Sequence, residues 1–183
     1  MNSVVLLLGL VSIAAAVTQY VDSSTVVTGS MSGSGKNNIK DNKGNTQFTA
    51  SGSLVDKDIQ LDFGSSKTVK SFYIDQKQIF SATYAKLDVY IGETPNTGSY
   101  TSLNTKCCSG CWWRGISNCD GTGRYMQFRM ANSDAHPTFY IADILVFDQE
   151  DKSSSGTLKI SGPPGAAYSN TLWKTLLKGS DKN

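Results

Sequence analysis

The sequence predicts an all-β protein, an antiparallel β-sandwich or jelly roll, with a short helix at its C-terminal end. Three observations predict it. Apolar and polar residues alternate at period two in several runs between Ile59 and Val146, turn-rich segments separate those runs, and helical periodicity is almost absent before residue 165. Short strands at this spacing pack as two stacked antiparallel layers.

Taken in order, Ser3 to Val17 is an uncharged apolar run that closes on Ala14-Ala15-Ala16, small residues of the kind a signal peptidase reads. It falls short of the roughly 20 residues that span a bilayer. Residues 1–16 are expected to be a secretory leader cut after Ala16, with an anchor or a buried strand as the alternative. Gly29 to Gly35 is Gly/Ser-rich and reads as a loop. It is no phosphate loop, because Asn37 stands where Ser or Thr should follow Lys36. Ile59, Leu61 and Phe63 alternate with Gln60 and Asp62. Val69 to Ile74 is a second strand after the turn Gly64-Ser-Ser. Leu87, Val89 and Ile91 make a third, ended by Gly92, and Met126, Phe128 and Met130 a fourth. Phe139 to Phe147 closes the set. Turns are expected at Gly92 to Gly98 and at Cys119-Asp-Gly-Thr-Gly123.

All four cysteines fall between Cys107 and Cys119, in what reads as a loop. In an exported chain they make two disulfides. Cys107–Cys119 with Cys108–Cys111 and Cys108–Cys119 with Cys107–Cys111 are both open, whereas a Cys107–Cys108 bond needs a strained peptide. Closing a loop of about 12 residues contributes on the order of 3 kcal/mol. Zinc is disfavoured, since no histidine lies near the cluster.

Charge argues against a nucleic-acid partner. Residues 17–150 hold 12 Lys/Arg against 13 Asp/Glu, and residues 151–183 hold five Lys against two Asp, so no basic stripe forms on the body. His136 is the only histidine and precedes Pro137 in a loop, so a Ser-His or Cys-His arrangement has a single choice of base with nothing to orient it, and no enzyme is expected. Residues 150–183 read as a linker and then an amphipathic helix, Ser169 to Lys178. Ser169 caps it, Leu172, Trp173, Leu176 and Leu177 form its apolar stripe, and Gly179 ends it.

The chain resembles discoidin-like (galactose-binding-like) domains over residues 20–149. Asn38-Ile-Lys-Asp41-Asn-Lys-Gly-Asn-Thr46-Gln-Phe48 is similar to their Asn-Ala-x-Asp-Gly-Asn…Thr…Phe/Trp segment, Asp58-Ile-Gln-Leu-Asp62-Phe-Gly64 to one strand, and Leu87-Asp-Val-Tyr-Ile-Gly92 to another. Cys119, then Gly123-Arg124-Tyr125-Met126, then Ala142-Asp143-Ile-Leu-Val146 most resemble the fucolectins (F-type lectins). The resemblance implies an eight-stranded jelly roll with its termini close together, binding sugars, lipid head groups or proteins through loops at one end.

The resemblance also implies a structural calcium ion where the Asn/Asp loop meets the final strand. By position Asn38, Asp41 and Asp143 would supply it, with the Ala142 carbonyl and a hydroxyl from Ser51 or Ser53. Calcium takes six to eight oxygens, which such a loop can offer. Asn42 stands where the family has Gly, and Asp143 where it has Glu. The alternative is Asx-turn chemistry with no ion. The family's fucose site is a His and two Arg over an adjacent-cysteine disulfide. The matching loop here, Gln76 to Tyr84, has none of these, and Gln76 and Thr83 fall about where the arginines would be. Gln76 and Tyr84 are that loop's ligand candidates.

Independently of any family, Trp112-Trp113-Arg114 is the best ligand candidate. Indole faces suit pyranose C–H groups, and a guanidinium forks to hydroxyls or carboxylates. The alternative is that an indole packs over the disulfides. Arg124, opening a strand, is expected to pair with a carboxylate on a neighbouring strand.

The reading is a secreted, non-catalytic, lectin-like module for a glycan or glycoprotein at a cell surface or in extracellular matrix. The runner-up is a structural subunit of an extracellular assembly, or a homo-oligomer, joined through the C-terminal helix.

Overall fold

A computed structural model describes residues 18–43, 46–52, 54–75, 87–95, 105–111, 114–130 and 138–150, with backbone alone at 110, 111, 114–116, 138 and 139. The leader, the loops holding Gln76, Thr83, Tyr84, Trp112, Trp113 and His136, Ser53 and the C-terminal helix fall outside these residues.

The described chain is antiparallel β throughout. Its strands are β1 (Val26–Thr28), β2 (Gly33–Ser34), β3 (Phe48–Ser51), β4 (Asp58–Asp75), β5 (Leu87–Gly92), β6 (Thr105–Cys111), β7 (Arg114–Met130), β8 (Thr138–Ile141) and β9 (Asp143–Phe147). A 3₁₀ turn, Lys36–Lys40, lies between β2 and β3. The larger sheet runs β1-β4-β7-β5-β6 with β9 also on β4, and the smaller runs β2-β3-β8. Nine strands lie among the described residues against the eight implied by the resemblance, because one run is divided at Ala142 into β8 and β9.

Two long strands make the sandwich. β4 and β7 pair from Asp58↔Arg129 to Asp75↔Arg114, with register slips between Asp62 and Lys67 and between Val69 and Ser71. Phe128 stands opposite Ile59, and Phe72 opposite Ser117. In a straight ladder Ile59 and Phe72 would be about 40 Å apart, at roughly 3.3 Å per residue. Yet the rings of Phe72 and Phe128 meet edge-on with centroids 6.0 Å apart. The strand pair therefore folds over on itself, and the slips, which add twist and bend, mark where.

The core fills that fold. Ile59, Leu61, Leu87, Val89, Ile91, Met126, Phe128 and Met130 face Phe72, Ile74, Ile144 and Val146, and the small sheet adds Phe48, Ala50 and Ile141. Each fully buried Leu, Ile or Phe stabilises by about 1.5–3 kcal/mol relative to exposure. Where β7 passes the end of β5, Gly123 lies so close that a Cβ there would sit 2.5 Å from the Gly92 carbonyl oxygen. Only glycine fits that crossing.

Three sequence expectations need correction. Gly64-Ser-Ser and Cys119 to Gly123 are not turns between strands. They lie within β4 and β7, where Lys67, Thr68 and Val69 pair with Gly123, Thr122 and Gly121. The cysteine segment is not a loop, since Cys107, Cys108 and Cys111 lie in β6 and Cys119 in β7. The Gly/Ser segment contains the short strand β2. Of the two open cysteine pairings, the structure has Cys107–Cys119, with S–S 2.06 Å, which ties β6 to β7. Cys108 is also disulfide-bonded, and no described thiol is free. The termini of the domain are close, as expected. Tyr20 N–H donates to the Val146 carbonyl at 2.8 Å, and Asp148 N–H to that of Thr18 at 3.2 Å.

Candidate functional site

The ladder brings distant chain segments to one rim. Asp75 pairs with Arg114 in β7 and with Asp143 in β9, while Leu87 pairs with Cys111 and with Met130. Only residues 112 and 113 separate Cys111 from Arg114, so the two sets of strand ends adjoin. The segments 76–86, 112–113 and 131–137 all start from this rim. Arg114 stands on it by its backbone, and the segments holding Gln76, Tyr84, Trp112 and Trp113 leave from it.

The same rim holds a buried carboxylate cluster. Asp41 follows the 3₁₀ turn. Its Oδ1 accepts the Lys43 N–H at 3.0 Å, and its Oδ2 accepts the Thr46 hydroxyl at 2.7 Å, an Asx-type turn that organises the loop. Asn42 has φ 58, the left-handed region. Asparagine and glycine both enter that region readily, which reconciles Asn42 with the glycine of the family pattern. On β9, Asp143 is 0% exposed. Neither of its carboxylate oxygens has a hydrogen-bond partner, nor has the buried Oδ1 of Asn42.

The electrostatics follow. Burial, then the charges of Asp41 and Asp75, push Asp143 up to about 8. The amides of Asn42 and Lys43 face it and pull the other way, though neither closes a well-formed hydrogen bond. An unsatisfied buried carboxylate costs several kcal/mol. Oxygen donors gathered here, with those of Asp143 and Asn42 lacking a hydrogen-bond partner, fit a calcium ion. Among the described residues no three Asp, Glu, His or Cys side chains come together to hold an ion unaided, so backbone carbonyls such as that of Ala142 would complete the shell.

The structure sorts the predicted ligands. Asp41 and Asp143 are brought together, and Ala142 sits beside them, its N–H donating to the Asp75 carbonyl at 2.7 Å. Asn38 is engaged elsewhere, its amide donating to the Gln47 carbonyl at 2.8 Å. Ser51 is exposed opposite Thr138, about 10 Å along β3 from the Phe48–Ile141 pair that adjoins Ala142. Asp75 and Thr46 were not singled out from sequence, and Asn42 was noted only as standing in place of glycine. Thr46 lay within the quoted loop, and Asp75 ends an apolar run with a charge, a signal that could have raised it.

Arg124 has the structural role expected of it. It makes a two-pronged pair with Asp62, Nε to Oδ1 at 2.7 Å and an NH2 group to Oδ2 at 2.8 Å, which holds the Asp62 carboxyl below its usual range.

No family model and no curated protein sequence matches the chain. Solved structures do. The family 32 carbohydrate-binding module of NanJ from Clostridium perfringens, in complex with galactose, superposes with TM-score 0.56 at 12% identity, covering 72% of this chain and 99% of that one. A second C. perfringens module, in complex with GlcNAc-α-1,4-galactose, gives 0.53 at 11%, covering 76% and 100%. The module of AlyQ, in complex with 4,5-unsaturated mannuronic acid, gives 0.51 at 17%, covering 72% and 98%. The protein thus has the β-sandwich fold of family 32 carbohydrate-binding modules.

Proposed function

We propose that the protein is a secreted, non-catalytic carbohydrate-binding module, reading glycans or glycoproteins at a cell surface or in extracellular matrix. The observation that carries this is the rim. On a fold whose solved neighbours include modules in complex with galactose and other sugars, the strand ends Asp75, Leu87, Cys111 and Arg114 come to one rim, and the segments holding the candidates Gln76, Tyr84, Trp112 and Trp113 begin there. Aromatic faces there would stack on pyranose rings, and the arginine would fork to hydroxyls.

Calcium is part of the proposal. Asp143 and Asp41 would hold it with the Ala142 carbonyl, and its charge would offset theirs. The chain's own residues do the rest: the Asp41–Thr46 bond and the left-handed Asn42 shape the loop beside the sugar-bearing rim.

The test is a glycan array with the chain beginning at Val17. The expected result is a defined glycan signal, at least tenfold weaker in Trp112→Ala or Trp113→Ala with unchanged melting. A folded chain that binds no glycan, and self-associates through residues beyond 150, would contradict the reading and favour the structural-subunit alternative.

A further inference from the structure

Strands β4 and β9 are buried on both sides, and only one side belongs to the core. Phe72, Ile74, Ile144 and Val146 face inward as members of the core cluster. By the two-residue period Tyr73, Leu145 and Phe147 face the opposite way and stand outside that cluster, yet they are 1%, 1% and 0% exposed. Elsewhere the outward face of the large sheet is polar and partly wet, with Asp62, Arg124, Asp88 and Lys106 on it. An apolar patch buried away from the core needs a cover of its own.

We propose that the C-terminal segment Ser169–Lys178 is that cover, docking its stripe of Leu172, Trp173, Leu176 and Leu177 across Tyr73, Leu145 and Phe147. The course of the chain selects this occupant. Ser71, on the same side as Tyr73 and paired with Phe147, donates its hydroxyl to the Gln149 carbonyl at 2.5 Å. The chain leaving β9 therefore turns toward this face by Gln149, two residues before the tail begins.

The other ends lead elsewhere. Thr18 to Tyr20 pair antiparallel along the edge of β9, within the plane of the sheet, with Thr18 beside Asp148 rather than Leu145. The segment after Asp75 leaves from the rim. Size and charge agree. Ten helical residues span about 15 Å, and Asp143 to Phe147 about 13 Å. The lysine-rich tail would bring Lys174 and Lys178 toward a face whose far end carries Asp75 and Asp143. The proposal holds whether or not the rim binds sugar.

The test is a double-mutant cycle in the chain beginning at Val17, read by thermal melting and by sedimentation. Leu145→Ala and Trp173→Ala should each lower the midpoint by about 5–10 °C. Together they should lower it little more than either alone, because each removes the same contact. Phe147→Leu replaces Leu145→Ala if that variant does not fold. The proposal is overturned if Trp173→Ala leaves the midpoint unchanged, or if the two shifts add. It is equally overturned if Trp173→Ala converts a dimer to a monomer, since the segment would then dock on a second copy. Glycan binding is read in the same samples; its absence would sink the sugar reading and leave this one standing.

Discussion

Two buried aspartates on this sandwich have opposite surroundings. Asp58, 6% exposed, is fully engaged: its Oδ1 accepts the N–H of Ser30 at 2.9 Å and the Ser30 hydroxyl, and its Oδ2 accepts the Gln127 amide at 2.8 Å. It clips the turn after β1 to the centre of the large sheet. Asp143, 0% exposed, has no partner on either oxygen and faces two more carboxylates. Both are buried carboxylates at strand ends, so burial does not separate structure from function here. Hydrogen-bond satisfaction does. A fully bonded carboxylate is explained by the fold, whereas an orphaned one calls for an explanation, for which we propose a bound cation.

The largest effect should come from Asp58→Ala, which strands Ser30 and Gln127. Urea unfolding should show a loss of about 3 kcal/mol, with calcium making no difference to that loss. Calcium comes next. At a hundredfold excess over its Kd it should stabilise by about 2.7 kcal/mol, a rise of about 5–10 °C in melting temperature, reversed by chelator and absent in Asp143→Asn.

The pH response should separate the two sites further. Without metal, burial and the neighbouring carboxylates raise the folded pKa of Asp143 from the usual carboxylate range to about 8. Between those values the folded state holds a proton that the unfolded state has released. Stability from this group is therefore full at low pH and is lost as pH rises toward 8. The chelated protein should melt lower at pH 8 than at pH 5, and Asp143→Asn should flatten that difference. Asp62 provides the opposite sign: its carboxyl is held low by Arg124, so its contribution is present at neutral pH and fades only under acid.

The smallest effect concerns the loop. Asn42→Ala should cost about 1 kcal/mol for an L-residue in the left-handed region, while Asn42→Gly should be close to neutral. Equal costs for the two would show that the backbone conformation is not what Asn42 provides.

Much of this fold was legible because burial imposes period two on sequence. Ile59-Leu61-Phe63, Leu87-Val89-Ile91 and Met126-Phe128-Met130 were readable as strands and are the core. The continuity of β4 and β7 was not readable. Gly64-Ser-Ser and Asp120-Gly-Thr-Gly123 have turn composition, and only the cross-strand partner, remote in sequence, keeps each segment in the ladder. The site divided the same way. Asp41 and Asp143 could be found from motif position. Asp75 could not, because its place beside Asp143 depends on strand register. Ser51 shows the converse: a suitable oxygen near in sequence, carried away along β3 by the fold.

The central claim is that the orphaned carboxylate of Asp143 marks a cation site at the rim where the segments holding the proposed sugar-binding residues begin. Calorimetric titration of the metal-free chain with calcium tests it most directly. One ion bound per chain, with binding lost in Asp143→Asn and kept in Arg124→Ala, is the predicted result. No heat of binding in a folded chain, or equal binding by Asp143→Asn, would contradict it.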